Sequence, residues 1–331
     1  MNPSFHRARP LIRLERDSKL VYFTKAVLRA AVPPTLCRSG LAARLDSIDE
    51  RPDRDDVLAR TDYCCKLRPG SAALDLGPEA LRIRDFHLPW KKQTYYFDAM
   101  EVLRYFDPDL RFRFLPGDNI RIPDTPALVK SRPIVPDDTN ANAVLLKLNK
   151  VRHFVFADDP VPFARKSDTL LFRGNVYVEQ PHRVLFFEKH FGSPSIDAGD
   201  TSKRPFRSGW AAPRMTLEEQ LRYKFILSLE GNDVASNLKW VFSSNSIAVM
   251  PRPRFETWFE EGLLVPGVHY IEIAPDYSDV QEKLVFYRSR PDLCEQINAA
   301  EHAWINRFRD PVRELLVSLK VLERYFSITN E

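Results

Sequence analysis

Glycine is scarce in this chain, 11 in 331 residues. Neither GxxxxGK(S/T) nor GxGxxG occurs, so neither a P-loop nor a dinucleotide fingerprint is available to hold a phosphate. No apolar run approaches the roughly 20 residues that span a bilayer. The opening MNPSFHRARPLIRLERDSK lacks the long apolar centre of a signal peptide. Cysteine is limited to Cys37, Cys64, Cys65 and Cys294. The adjacent pair fits neither a zinc pattern nor a disulfide framework, which points to a reducing cytoplasm. Charge of one sign is lacking too. The formal net charge of +4 is too small to imply nucleic acid as a partner. No internal repeat or low-complexity tract is present.

What is present is a soluble, globular composition, 44% hydrophobic and 28% charged, long enough for two domains. Residues 17–31 read as an amphipathic helix with Leu20, Phe23, Val27 and Ala30 on its core face and Lys19, Lys25 and Arg29 elsewhere. Helices are expected at 94–106 and 140–149, strands at 110–115, 127–130 and 153–156. From Thr169 the order is strand, helix, loop, short helix, strand (223–229), helix (234–244), strand (246–250) and helix (255–262). Residues 296–327 are nearly all helix, broken at Pro311. Strands alternating with helices predict parallel sheets flanked by helices. Two α/β domains are expected, 1–163 and 164–300, followed by a helical segment 301–331.

Two strand ends in the second half carry groups suited to an anion. After the strand at 223–229 comes EGNDVASNLKW, Glu230 to Trp240. Asp233 is placed to cap the following helix, with Ser236 at its third position. Free amides and the helix dipole would attract an anion, with Ser236, Asn237 and Lys239 adding donors that together suit a diphosphate. The same residue types serve a well-capped helix with a solvated lysine equally well. The second strand end is Arg173-Gly174 in LLFRG, where an arginine is either idle in solvent or a phosphate clamp, and the glycine lets a ligand approach the backbone.

The chain resembles family 90 of the glycosyltransferases, which includes eukaryotic protein O-glucosyltransferases, fungal capsule-associated proteins and a bacterial lipopolysaccharide-type branch. The resemblance rests on KSRPI (Lys130–Ile134), LLKLNKVRHF (Leu145–Phe154), LLFRG (Leu170–Gly174), YKFILSLEGNDVASNLKW (Tyr223–Trp240) and PGVHYI (Pro266–Ile271), in family order over about 140 residues. It implies a GT-B-like α/β fold: two facing Rossmann-like domains, with the C-terminal helix crossing back to the first. It implies a nucleotide-sugar co-substrate, generally UDP-linked, held by the second domain. It implies inversion of the anomeric carbon with no cofactor and no metal.

Residue by residue, the resemblance carries donor binding onto Arg173, Gly231, Ser236 and Lys239, and residue type adds Gly174, Asn232 and Asn237 to the expected donor site. The resemblance assigns the catalytic base to Asp118 in LPGDN. An inverting transfer needs a base for the acceptor hydroxyl, and a carboxylate on a turn at a strand end has suitable geometry. Pro-Gly-Asp-Asn is also an ordinary turn. Glu256 is a candidate for the ribose hydroxyls, or a solvated helix position. Glu230 stands where eukaryotic members often have arginine, and Cys64-Cys65 replace an expected tyrosine-rich pair. His153 reads as structural, and His269 with Tyr270 either contacts the nucleotide or sugar or, as the more frequent case, packs and hydrogen-bonds within an apolar strand. The run from Pro89 to Tyr96 could stack an acceptor sugar or simply pack.

The expected activity is transfer of a sugar to a glycan or lipid-linked glycan acceptor in surface-glycan synthesis. It is expected in the cytoplasm or peripheral on the inner membrane. The N-terminal basic group, Arg7, Arg9, Arg13, Arg16, Lys19, Lys25 and Arg29, would face an anionic membrane surface. The competing readings are a sugar-nucleotide-binding protein without transfer activity and a basic surface protein that binds anionic lipid or nucleic acid.

Overall fold

The computed structural model describes residues 13–15, 18–70 and 72–330. The first half runs β1 (Arg13–Glu15), α1 (Lys19–Ala31), α2 (Pro34–Ser39), α3 (Leu41–Asp46), α4 (Arg54–Cys64), β2 (Leu81–Arg82), α5 (Gln93–Leu103), β3 (Arg111–Phe112), β4 (Phe114–Leu115), β5 (Ala127–Val129), β6 (Ser131–Pro133), β7 (Ala143–Leu145), α6 (Lys150–His153) and β8 (Phe156–Asp158). The second half runs β9 (Ser167–Gly174), α7 (Pro181–His190), β10 (Ile196–Asp200), α8 (Leu217–Gln220), β11 (Tyr223–Leu227), α9 (Leu238–Phe242), β12 (Ile247–Met250), β13 (Phe255–Thr257), β14 (Ile271–Glu272), α10 (Val280–Arg288), α11 (Pro291–Asn306) and α12 (Pro311–Thr329).

The architecture is mixed α/β with parallel sheets, as expected. A five-stranded sheet has the order β10-β9-β11-β12-β14, all parallel. Along β11, Phe225 and Leu227 join a core on one face, while Ile226 joins a larger core on the other. Covering both faces is what makes such strands continuously apolar. A smaller parallel sheet, β4-β5-β7, forms in the first half. Its strands share the larger core with the inner face of the five-stranded sheet and with α12. The two halves are also joined by backbone: β6 pairs antiparallel with β13, matching Ser131 to Thr257 and Arg132 to Glu256.

The last helix returns to the first half. Asp310 caps α12 by accepting from Val312 and Arg313 amides, and Pro311 occupies its first turn. Its buried stripe, including Leu319, Leu322 and Phe326, packs on α3, α4 and α5. Arg60 of α4, fully buried, pairs with Glu314 of α12 at 2.5 Å and with Glu260 at 3.0 Å.

Three expectations are corrected. Residues 140–149 hold strand β7, not a helix; all three residues of β7 are buried, and Asn149 at φ +56° blocks a helix through it. Residues 255–262 open as strand β13 and end in a single 3-10 turn. In α1 the buried residues are Tyr22 and Ala26, not Leu20, Val27 and Ala30, which are exposed. Tyr22 wins because its hydroxyl donates to Asp98 Oδ1 (2.8 Å), a partner that only tertiary structure supplies. Arg7, Arg9, Arg16 and the Arg13 side chain lie outside the described residues. Among those described, no helix is long and apolar enough to cross a membrane.

Candidate active site

In the five-stranded sheet, β10 lies on one side of β9, and β11 and β12 lie on the other. The loops after β9 and β11 therefore diverge, and ligands of such sheets bind in the crevice they leave at the strands' carboxyl ends. A cavity of about 370 Å³ occupies that place. Arg173, Gly174, Gly231, Asn232, Ser236 and Asn237 line it, as does Asp118 from the first half of the chain. Seven of the nine residues singled out in the sequence thus meet at one cavity.

Arg173 is held in position by the neighbouring strand. Its guanidinium donates to Asp197 Oδ1 (2.6 Å) and to the Asp197 carbonyl (2.9 Å), and Tyr223 Oη donates to the other carboxylate oxygen (2.8 Å). Its buried Nε has no hydrogen-bond partner among the described residues. Arg183, which the sequence reading missed, ties the two loops together. It donates to the carbonyls of Asn175 (2.7 Å), Leu229 (2.9 Å) and Glu230 (2.9 Å). The available signal was an arginine in the first turn of a helix that follows a strand end.

The anion loop differs in three ways from its expected form. Helix α9 has five residues and starts at Leu238, and Asn237 at its N-cap position makes no side-chain cap bond. Asp233 does not cap it; the side chain turns inward and pairs with Lys130 at 2.6 Å. Lys239 does not reach back to the cavity. It is fully buried, and its ammonium pairs with Glu261 at 2.5 Å. Glu256 is corrected as well. It sits on β13, buried against Arg132 (2.7 Å) and the Tyr63 hydroxyl, and lines neither this cavity nor the next. Both charges satisfy buried partners, and exposing either to a ligand would strand its counter-ion.

The turn that carries Asp118 is rigidly built. Gly117 has φ +124°, open to glycine alone without strain, and a Cβ there would lie 2.7 Å from Lys92 Nζ. Lys92 donates to the Pro116 carbonyl (2.5 Å), and Asn119 donates its amide side chain to the Leu115 carbonyl (2.9 Å). Asp118 Oδ1 accepts from Lys130 Nζ at 2.5 Å, and Oδ2 accepts from Asn232 Nδ2 at 3.1 Å. Burial pushes the Asp118 carboxyl up, but the Lys130 ammonium, with Asn232 and Arg152, outweighs it and holds the group below the usual aspartate range. Burial likewise opposes the charge of Lys130, and Asp233 with Asp118 restores it above the ordinary lysine value.

His153 lines the same cavity. It is buried, yet neither ring nitrogen has a hydrogen-bond partner among the described residues. Burial drives it well below the usual histidine range, with Lys130, Lys239 and Arg152 adding to the effect. The imidazole is thus neutral, with one donor and one acceptor unmet, unlike the satisfied structural histidine expected. His269 accepts from the Val265 amide (2.9 Å) and stacks edge-on to Trp304, as a structural residue would. Cys64 and Cys65 are buried free thiols, closed to any acceptor. Tyr95 is buried and Tyr96 packs on Phe86 and Phe97, while Trp90 stands exposed.

A second cavity, about 470 Å³, adjoins the first at Leu229 and Val234. It lies at the carboxyl ends of β11, β12 and β14, walled by Ala235, Leu238, Met250, Ile273 and Tyr277 among others. Its wall is mainly apolar, whereas the first cavity offers arginines and amides.

Residues 140–322 match the family model described as glycosyl transferase family 90. The chain is 37% identical over 313 residues to O-glucosyltransferase LpsA of Dichelobacter nodosus, covering 94% of this chain and 96% of that protein. Protein O-glucosyltransferase 1 of Rattus norvegicus is 28% identical over 143 residues, 41% of this chain and 36% of that one. O-glucosyltransferase rumi of Drosophila pseudoobscura pseudoobscura is 22% identical over 149 residues, 41% of this chain and 35% of that one. With a strand-end cavity flanked by arginines and a carboxylate, and with similarity running nearly end to end, the chain belongs to glycosyl transferase family 90.

Proposed function

We propose that the chain transfers glucose, or a closely related sugar, from a nucleotide-sugar donor to a hydroxyl of a surface glycan such as lipopolysaccharide. The observation that carries this reading is the contact of Asp118 with Asn232. A carboxylate from the first half lies 3.1 Å from the loop of the second half that faces the anion-suited cavity. A base and a leaving-group site on opposite walls of one cleft is what an inverting displacement requires. The facing parallel sheets and the return of α12 support a GT-B arrangement, and the glucose assignment rests on the names of the relatives.

In this reading the diphosphate occupies the 370 Å³ cavity, where Arg152, Arg173 and Arg214 supply positive charge and Asn232, Ser236 and Asn237 supply donors. The nucleoside, uridine by preference, occupies the adjoining apolar cavity. The neutral His153 ring, with its donor and acceptor unmet, contacts a hydroxyl of the sugar. Asp118 takes the proton of the acceptor hydroxyl as its oxygen bonds the anomeric carbon. The carbon–phosphate oxygen bond breaks, and the nucleoside diphosphate leaves toward Arg173. The arginines provide the countercharge, so no metal or other cofactor is assigned.

A screen of donor hydrolysis and transfer over UDP-, GDP- and ADP-sugars, with and without chelator, tests the proposal. The expected result is turnover of a UDP-hexose that survives chelator. Binding of a nucleotide sugar without hydrolysis or transfer to any glycan would make the protein a non-catalytic binder instead.

A further inference from the structure

The outward face of α1 has a composition that a solvated helix does not need. Leu20, Val21, Thr24, Val27, Leu28 and Ala31 recur at positions that put them on one side, opposite Tyr22 and Ala26. Leu20 is 78% exposed, Val27 59% and Leu28 65%. Val32 and Leu36, also exposed, extend the stripe into α2.

The helix is nonetheless firmly placed from its other side. Tyr22 bonds Asp98, Phe23 meets Phe97 edge-on at 5.9 Å, Arg29 pairs with Glu101 at 2.7 Å, and the Arg104 guanidinium donates to the carbonyls of Arg29 and Val32. The stripe is therefore held open to solvent by a fixed helix, which marks it as an interaction face.

Charge selects the occupant. Residues 18–45 contain Lys19, Lys25, Arg29, Arg38 and Arg44 and no acidic residue. A second copy of the same face would bring cation against cation. An anionic bilayer offers apolar depth to the stripe and negative headgroups to its flanks, as for helices that lie in the membrane interface.

Position adds a reason. The Tyr22 hydroxyl also donates to the Thr94 carbonyl (3.1 Å), so the first turns of α1 and α5 adjoin. The loop entering α5 carries exposed Leu88 and Trp90, and its Lys92 bonds the Pro116 carbonyl, two residues before Asp118. Exposed apolar side chains of α1 and of the loop entering α5 thus belong to elements that neighbour the turn of Asp118.

We propose that α1 and α2 form a peripheral membrane anchor, with the Leu20–Val27–Leu28 stripe buried at the surface of an anionic bilayer. The sequence expectation of membrane contact is changed in kind, since the apolar stripe itself enters the interface and does not belong to the core.

Flotation of the full chain with phosphatidylglycerol–phosphatidylethanolamine vesicles, against phosphatidylcholine alone, tests this. The wild type is expected to float with the anionic vesicles and to retain part of that binding at high salt. The Leu20→Ser, Val27→Ser, Leu28→Ser triple variant should lose roughly tenfold or more of the bound fraction. Its melting temperature and its nucleotide-sugar hydrolysis in solution should match the wild type, because these side chains contact neither the core nor the cleft. The proposal is overturned by a wild type that stays unbound or by a triple variant that floats equally well. It is equally overturned by light scattering that shows a wild-type dimer which the variant reduces to a monomer.

Discussion

Replacing Asp118 with Asn separates the proposed role of this carboxylate as a base from its observed role as a partner of Lys130. As a general base it should contribute about 10²–10⁴-fold, equal to about 2.7–5.5 kcal/mol of barrier. As a partner of Lys130 it contributes far less. Lys130 keeps Asp233 at 2.6 Å, and the amide oxygen of the substituted side chain can still accept from it. A stability loss of about 1–3 kcal/mol is expected from the weakened bond. Asp233→Asn is the matched control, since it removes the other carboxylate from the same lysine at a more deeply buried position. It should cost at least as much stability and leave the chemical step largely intact.

The assay is transfer by purified, folded protein at saturating donor, alongside thermal melts. Asp118→Asn should lose turnover and keep donor affinity; Asp233→Asn should lose stability and keep turnover. The pH profile follows from the same geometry. The Asp118 carboxyl is held below the ordinary 3.8, so it is ionised at and above that pH, and its contribution to rate and stability falls as pH drops through its lowered value. The wild-type acidic limb due to this group should therefore lie below 3.8 and be missing in Asp118→Asn. Transfer by Asp118→Asn within tenfold of wild type would falsify the base assignment, and so would an equal loss in Asp233→Asn.

Arg173→Ala should lower turnover more than it weakens donor binding, because its contact grows as charge develops on the leaving diphosphate; an unchanged rate per folded molecule would make it a brace for Asp197 only. Lys239→Met should destabilise by about 3–5 kcal/mol, since it strands Glu261, while calorimetric UDP affinity of the folded protein stays the same; a tenfold loss of affinity would return Lys239 to the donor site. His153 is held well below the histidine range when folded but titrates near 6.5 when unfolded, so its contribution is intact above about 6.5 and is lost as pH falls below it, by at most about 1.4 kcal/mol per unit. His153→Gln should flatten the fall in stability between pH 7 and 5 and weaken sugar-nucleotide binding; parallel stability curves for the two proteins would refute the buried neutral ring.

Some of this was readable from residue patterns and some was not, for physical reasons. The alternation after Thr169 is regular, and Asp118 and Arg173 stand out because strand ends are where parallel sheets bind ligands. Residues 140–149 misled because a strand buried on every side has no alternation to distinguish it from a helix. In α1 both faces are apolar, and the stronger stripe is the one left outside. Lys239, Glu256 and His153 were beyond reach for one shared reason. Whether a buried polar group is satisfied depends on partners such as Glu261, Arg132 or nothing at all, and those are set by chain crossings rather than by neighbours in sequence.

Lys130 is the one residue between β5 and β6. The first of these strands belongs to the parallel sheet of the first half, and the second is paired with β13 of the other. Its ammonium meets Asp118 from its own half and Asp233 from the opposite one. Parting the halves at this point would draw Asp233 from Lys130 and Asn232 from Asp118 together, and the proton affinity of the base would change with them. Cleft geometry and protonation are therefore two readings of one equilibrium. Whatever holds the walls together alters the acidity of Asp118, and by reciprocity the charge on Asp118 favours one spacing of the walls. In the proposed reaction, a donor that bridges the two loops would thus set the acidity of Asp118 as it binds, before any acceptor arrives.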